Sequence, residues 1–192
     1  MTRRGICLLL LTVVLLAGCS QPEPYRITNF FLDSNSLKDI KEKRVAVLPF
    51  KNSGGNYASA ERATEEFNLQ LGKTGYFVLV ERLRIEELFK EQDFDPKRLD
   101  EATAVEIGKM LGAHGVVLGT INEYSAGKVG LSIRHVSVEK GSQVWQAKDT
   151  FLANDPRIQA LVDNYDRKRL KSDPEFLMQV LCREISKTLP QF

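Results

Sequence analysis

An α/β domain, with helices packed on a mixed β-sheet of about five strands, is the fold class this sequence predicts. Three observations predict it. The runs "RVAVLPF" (44–50) and "GVVLGTI" (115–121) are short, apolar and β-branched, as buried strands are. The stretches between them carry apolar residues at spacings of three and four, the period of a helix face. Beyond Ile121 the pattern changes to alternation, the period of a strand with two distinct faces.

The chain opens "MTRRGICLLLLTVVLLAGCS". Arg3 and Arg4 precede an apolar run, residues 6–16, of about eleven residues, too short to span a bilayer, which takes about 20. It predicts a secretory signal peptide over residues 1–18. Leu16, Ala17 and Gly18 then lead into Cys19, an order that resembles a bacterial lipobox, in which the cysteine is lipidated and becomes the first mature residue. The expected modification is a covalent diacylglycerol with a further acyl chain on Cys19, and no other cofactor is expected. The whole chain has 27 basic and 25 acidic residues, but the excess is Arg3 and Arg4. The mature chain is formally neutral, which removes the electrostatic footprint expected of a nucleic-acid-binding protein. Of three cysteines, Cys7 leaves with the signal and Cys19 carries lipid, so Cys182 has no intrachain partner for a disulfide. It lies in a helical pattern with Leu181 and Ile185 and reads as a small, partly buried apolar residue.

Residues 19–42 read as a lipidated tether, with Pro22 and Pro24 near its start, and residues 43–192 as one domain. Phe30 and Phe31 interrupt the tether's polarity. They either pack on the domain's own surface or contact a partner. After the first strand comes "KNSGGNYAS", a loop into a helix whose face is Ala60, Ala63, Phe67 and Leu71, with Ser59 placed to cap it. Asn52 and Tyr57 on this loop are the second candidate partner contact. Gly75 supplies a turn before the strand at 76–80. Ile85, Leu88 and Phe89 mark a second helix, and Ala104, Ile107, Gly108 and Leu111 a third that Gly112 is suited to end. The strand at 115–121 follows, then "NEYSAGKVG" as a connection.

Val129, Leu131 and Ile133 alternate, and the phase slips at His135, as a bulge would cause; His135 is expected to turn toward solvent or cap that bulge. "EKGS" reads as a hairpin turn and "QVWQAKDTFL" as the returning strand. Two helices are expected at the end. Asp155-Pro156 caps the first, with the face Ile158, Leu161, Val162 and Tyr165, and Asp173-Pro174 caps the last, with the face Leu177, Val180, Leu181 and Ile185. The basic run "DRKRLKSD" between them reads as a solvated helix end.

No chemistry-bearing motif is complete. Gly54-Gly55 has no following lysine and no third glycine, so neither phosphate-loop nor dinucleotide fingerprint is met, and no nucleotide is expected. His114 and His135 lie on separate segments, and no metal-ligand spacing includes them. No Gly-x-Ser-x-Gly elbow occurs, and Glu65-Glu66 and Glu86-Glu87 sit in helical patterns where acidic surface is ordinary. No catalytic residue and no metal ligand is assigned, and no enzymatic activity is expected.

The segments "KRVAVLPFKNSGG", "SAERATEEFNLQLGKTGYFVLVERLRIEELFKEQ", "ATAVEIGKMLGAHGVVLGTINEY" and "LSIRHVSVEKGSQVW", in unbroken order over residues 43–147, resemble the CsgG-like family, the curli-secretion lipoprotein and its relatives such as LpoB. The resemblance implies an α/β periplasmic domain held by lipid to the outer membrane. It implies a binding or assembly role in envelope biogenesis or secretion, with an envelope protein or further copies of the chain as partners. It carries two alternatives: activation of a penicillin-binding protein, as LpoB does, and a subunit of a secretion channel. In the channel each subunit donates two transmembrane hairpins. Four barrel strands need on the order of 40 residues. "NEYSAGKVG" and the helical "ANDPRIQALVDNY" leave no room for them, so no barrel hairpins are expected.

Overall fold

The computed structural model describes Glu23 and residues 25–53 and 57–190. The lipobox residues Leu16, Ala17, Gly18 and Cys19, and the glycine pair Gly54-Gly55, lie outside the described residues.

Seven strands form a single mixed sheet: β1 (Phe30–Leu32), β2 (Arg44–Val47), β3 (Lys51–Asn52), β4 (Val78–Leu79), β5 (Gly115–Ser125), β6 (Lys128–Ser137) and β7 (Gln143–Leu152). Their order is β1-β7-β6-β5-β2-β4, with β3 also paired to β5. The α/β class expected from the sequence holds, with two more strands. β2, β3 and β4 run parallel to their neighbours, whereas β5, β6, β7 and β1 form an antiparallel meander.

β2 and β3 are one interrupted strand beside β5. Leu48 still donates its N–H to the Val117 carbonyl at 3.0 Å. Pro49 has no N–H to give, so the ladder breaks there and resumes at Lys51. Phe50 swings inward at the break, and its ring fills the space that a side chain on Gly119 would need.

Helices cover both sheet faces, which is why neither face of β5 is polar until Thr120. On one face α2 (Tyr57–Lys73) and α7 (Pro174–Ser186) bury Ala63, Phe67, Leu71, Leu177, Leu181 and Ile185 against Val117, Ile133, Trp145 and Phe151. On the other, α3 (Arg82–Glu91) and α4 (Glu101–Met110) bury Ile85, Phe89, Ala104 and Ile107 against Ala46, Leu48, Val116 and Leu118. Thr64 ties α2 to the strand break: its hydroxyl donates to the Ala60 carbonyl at 2.7 Å and accepts from the Phe50 N–H at 2.9 Å. Gly75 and Gly112, placed at turns by the sequence, have φ of +65° and +61°.

Four expectations are corrected. First, residues 25–42, read as tether, are packed into the domain. β1 joins the sheet, α1 (Ser34–Asp39) is capped by Asp33, and Ile27, Leu37 and Ile40 are buried. Second, the connection at 122–130 is mostly strand, because β5 and β6 continue to Ser125 and Lys128 and leave only Ala126 and Gly127 as the turn. Third, one helix with the face Ile158, Leu161, Val162 and Tyr165 does not form. α5 (Pro156–Gln159) stops after one turn, α6 (Arg167–Ser172) is separate, and Tyr165 is 93% exposed. The basic run is thus mostly a helix of its own, although its charged side chains are solvated as expected. Fourth, His135 does not turn toward solvent: it is fully buried beside the ring of Phe77, at 5.2 Å between centroids, and its imidazole fills the space over Gly115. The β6/β7 register does slip between His135 and Val136, as its phase change predicts.

Candidate interaction surface

β1 is held to β7 by its inner edge only. Phe30, Phe31 and Leu32 sit opposite Ala147, Gln146 and Trp145, and Asp33 donates its N–H to the Val144 carbonyl at 2.9 Å. Among the described residues its outer edge bears no strand of the sheet. Such an edge is a template for another chain, and proteins normally keep it short, as here, or charged.

The two phenylalanines at this edge point to opposite faces, since consecutive strand residues do. Phe30 is 45% exposed and lines a groove of ≈ 510 Å³ with Tyr25, Ile27, Leu161, Glu184 and Lys187. Glu184 is buried but not isolated: Lys187 Nζ lies 2.7 Å from Oε1, and Arg183 Nε 3.1 Å from it. Phe31 is 50% exposed on the other face. That part of the sheet is polar, with Arg134 paired to Glu101 at 2.6 Å and Asn122 donating to Ser132 Oγ at 2.7 Å. An exposed aromatic pair flanking an open edge is the apolar, directional surface on which a partner strand could seat.

The second candidate segment is elsewhere. Asn52 lies on β3, across β7, β6 and β5 from β1, on the order of 19 Å away at the usual strand spacing. Its amide donates to Ser59 Oγ at 2.6 Å, which fastens the loop to the first turn of α2. That is a local structural role and replaces the expected cap by Ser59, since α2 begins two residues earlier. Tyr57 opens α2, and its side chain lies outside the described residues. The structure therefore does not bring Phe30 and Phe31 together with Asn52 and Tyr57.

Sequence reasoning missed Tyr25. Its hydroxyl donates to Asp149 Oδ2 at 2.6 Å, its ring stands edge-on to Phe151 at 4.9 Å, and the Arg157 guanidinium lies 5.4 Å above it. Burial, together with the hydrogen bond to Asp149, pushes the phenol well above its ordinary value. The only signal was an aromatic residue in a tether otherwise polar, the same signal that singled out the phenylalanines.

Reactive groups lie away from this surface. Cys182 is wholly buried, and burial drives its thiol far above the ordinary range, the opposite of what a nucleophile needs. His135 is held neutral by burial, down to about 3. Among the described residues no group of three His, Cys, Asp or Glu side chains is assembled to hold a metal ion, and no helix is long and apolar enough to cross a membrane.

A family model described as "Curli production assembly/transport component CsgG" matches residues 32–148. No curated protein sequence matches the chain. Among solved structures, the lipoprotein GNA1162 from Neisseria meningitidis is 16% identical over 77% of this chain and 99% of its own, with a TM-score of 0.53. The PelC dodecamer from Paraburkholderia phytofirmans is 15% identical over 78% of this chain and 89% of its own, with a TM-score of 0.50. At these identities the likeness is one of fold.

Proposed function

This chain belongs to the CsgG family of curli production assembly/transport components, and on that premise we propose that it is a lipid-anchored accessory of envelope assembly or secretion that works by binding and not by catalysis. It is acylated on Cys19, faces the periplasm from the outer membrane, and engages a partner through the β1 edge. The observation that carries this reading is the open edge flanked by the exposed Phe30 and Phe31, on a fold in which Cys182 and His135 are buried. The partner is an envelope protein or a second copy of the chain. The dodecameric state of PelC, a protein of like fold, supports the second.

A channel subunit is disfavoured by two features. A two-residue turn closes the β5–β6 hairpin, and α5 and α6 follow β7 where a second hairpin would leave the sheet. Activation of a penicillin-binding protein differs from scaffolding by its readout.

The test uses three preparations. A form lacking residues 1–18 with Cys19→Ala should be folded and monodisperse without detergent in the ultracentrifuge. The lipidated protein should show no conductance in planar bilayers. A photo-crosslinking residue at position 31 should give one discrete adduct in cells, whose mass and sequence identify an envelope protein or a second copy. Conductance would replace this reading with the channel, and increased peptidoglycan synthesis by purified synthases would replace it with the activator.

A further inference from the structure

The lipid and the folded body are joined by very little chain. Cys19 is six residues from Tyr25, and an extended chain gains at most about 3.6 Å per residue, so the two are separated by about 22 Å or less. Tyr25 is fixed by Asp149, Phe151 and Arg157. Phe151 sits opposite Val129, one residue from the start of β6, next to the Ala126-Gly127 turn. The chain thus enters the domain near one end of the meander. The other end, the 138–142 turn, is a further eight strand residues along β7, on the order of 27 Å away. A tether of this length cannot stand the domain on that far end while Tyr25 stays bound, and the groups at the near end decide between an upright and a tilted body.

Several exposed groups gather at the near end. Leu161 shares a groove with Tyr25, Arg167 Nε donates to the Gln159 carbonyl at 3.3 Å, and the Lys171 carbonyl adjoins Gly127. Between Leu161 and α6 stands Tyr165, 93% exposed, the most solvent-exposed large apolar side chain among the described residues. Arg167, Lys168 and Lys171 are exposed on α6 and make no ion pair among the described residues, whereas Arg169 is engaged by Asp173 at 3.0 Å. Asp163 and Asp166 dilute this charge, so the tether dominates and the basic groups refine.

We propose that this end of the domain rests on the lipid surface, with Tyr165 entering the headgroup layer and Arg167, Lys168 and Lys171 meeting phosphates. It rests on the reading that Cys19 is acylated. Tyrosine suits such a place because its ring is apolar and its hydroxyl stays wet. Basic side chains near an anionic leaflet are attracted over roughly a Debye length, about 8–10 Å. The consequence is a fixed orientation: the β6–β7 turn points into the periplasm, and the β1 edge stands upright, accessible from the side.

The experiment uses lipidated full-length protein in vesicles of phosphatidylethanolamine with phosphatidylglycerol. Tyr165→Cys and Ser142→Cys, at opposite ends, are each labelled with an environment-sensitive fluorophore; Cys182 is buried and Cys19 is blocked by lipid, so labelling is specific. Headgroup spin-labelled lipid should quench the label at 165 several-fold more than that at 142. A Gly/Ser insertion of about 20 residues after Gln21, which behaves as a flexible coil, should erase most of that difference. Equal quenching at both sites, with acylation verified by mass, would overturn the orientation and leave the lipid anchor intact. A mass showing unmodified Cys19 would overturn both.

Discussion

The imidazole of His135 occupies the space that a side chain on Gly115 would need, so the glycine at the start of β5 exists because a histidine points across it from β6. Both ring nitrogens of His135 lack a hydrogen-bond partner among the described residues, and Phe77 closes the site from the side. A buried polar ring left unsatisfied costs about 1–3 kcal/mol, and the surrounding packing has to offset that.

Gly115→Ala should therefore destabilise the domain by about 1–3 kcal/mol through overpacking, read by urea unfolding of the soluble form. Combined with His135→Ala, the loss should be less than the sum of the single losses, because one change makes room for the other. Additive losses would mean that the two residues do not compete for space.

The protonation of His135 gives a pH prediction with a definite sign. In the folded chain its value is lowered to about 3 by burial, against 6.5 when exposed. Between these values the unfolded chain binds the proton and the folded one does not. The contribution is fully present above pH 6.5 and is lost as pH falls from there toward 3. His135→Leu should abolish this part, so the stability of the wild type minus that of the variant should fall by a few kcal/mol, on the order of 1.4 per pH unit, from neutrality to acid. Carboxylates titrate in both proteins, and the difference cancels them. Parallel pH curves would contradict the buried neutral ring.

Asp173 caps α7 by accepting from the Glu175 and Phe176 N–H groups at 3.0 and 3.1 Å. Asp173→Ala should cost about 1 kcal/mol, lowering Tm by several degrees in calorimetry. Because Arg169 also loses its ion partner, Asp173→Asn, which keeps an acceptor oxygen, should recover much of the loss.

Cys182 should react with a thiol reagent only when the domain opens. In native buffer the modification rate should match the global opening rate and rise steeply in urea, because the thiol is both inaccessible and held protonated by burial. Fast modification without denaturant would show that α7 opens alone.

Phe31→Lys should change stability by no more than about 0.5 kcal/mol, since the ring is half-exposed on a polar face, yet should remove the partner adduct formed from a photo-crosslinking residue placed at the neighbouring position 30. Trp145, the single tryptophan, is buried with its Nε1–H donating to Thr188 Oγ1 at 2.9 Å and reports folding in these variants. An unchanged adduct would place the contact away from the β1 edge.

The long helices and strands were legible because they carry many periods of one pattern. α2 shows its face four times, at Ala60, Ala63, Phe67 and Leu71, and all four are buried. The Asp-Pro pairs at 155–156 and 173–174 marked caps that the structure keeps. β1 and β3, of three and two residues, are too short for any alternation to register, and they are strands only because β7 and β5 offer them a ladder. Phe30 and Phe31 were visible as misplaced aromatics, but not that they flank an open edge on opposite faces. Tyr25 was hidden for the same reason: its partners Asp149 and Phe151 are more than a hundred residues away.

The sequence alone determined the α/β class, the faces of α2, α4 and α7, the caps at Asp155 and Asp173, the bulge near His135, and the expectation of a signal peptide ending at a lipidated Cys19. These follow from local period, from turn chemistry, and from short-range order along the chain. Only the tertiary structure decided that residues 25–42 belong to the body, that His135 is buried against Gly115 and Phe77, and that the β1 edge is open. Each of those depends on which distant segment supplies the covering surface, and burial is a property of pairs of elements that no single stretch of sequence encodes.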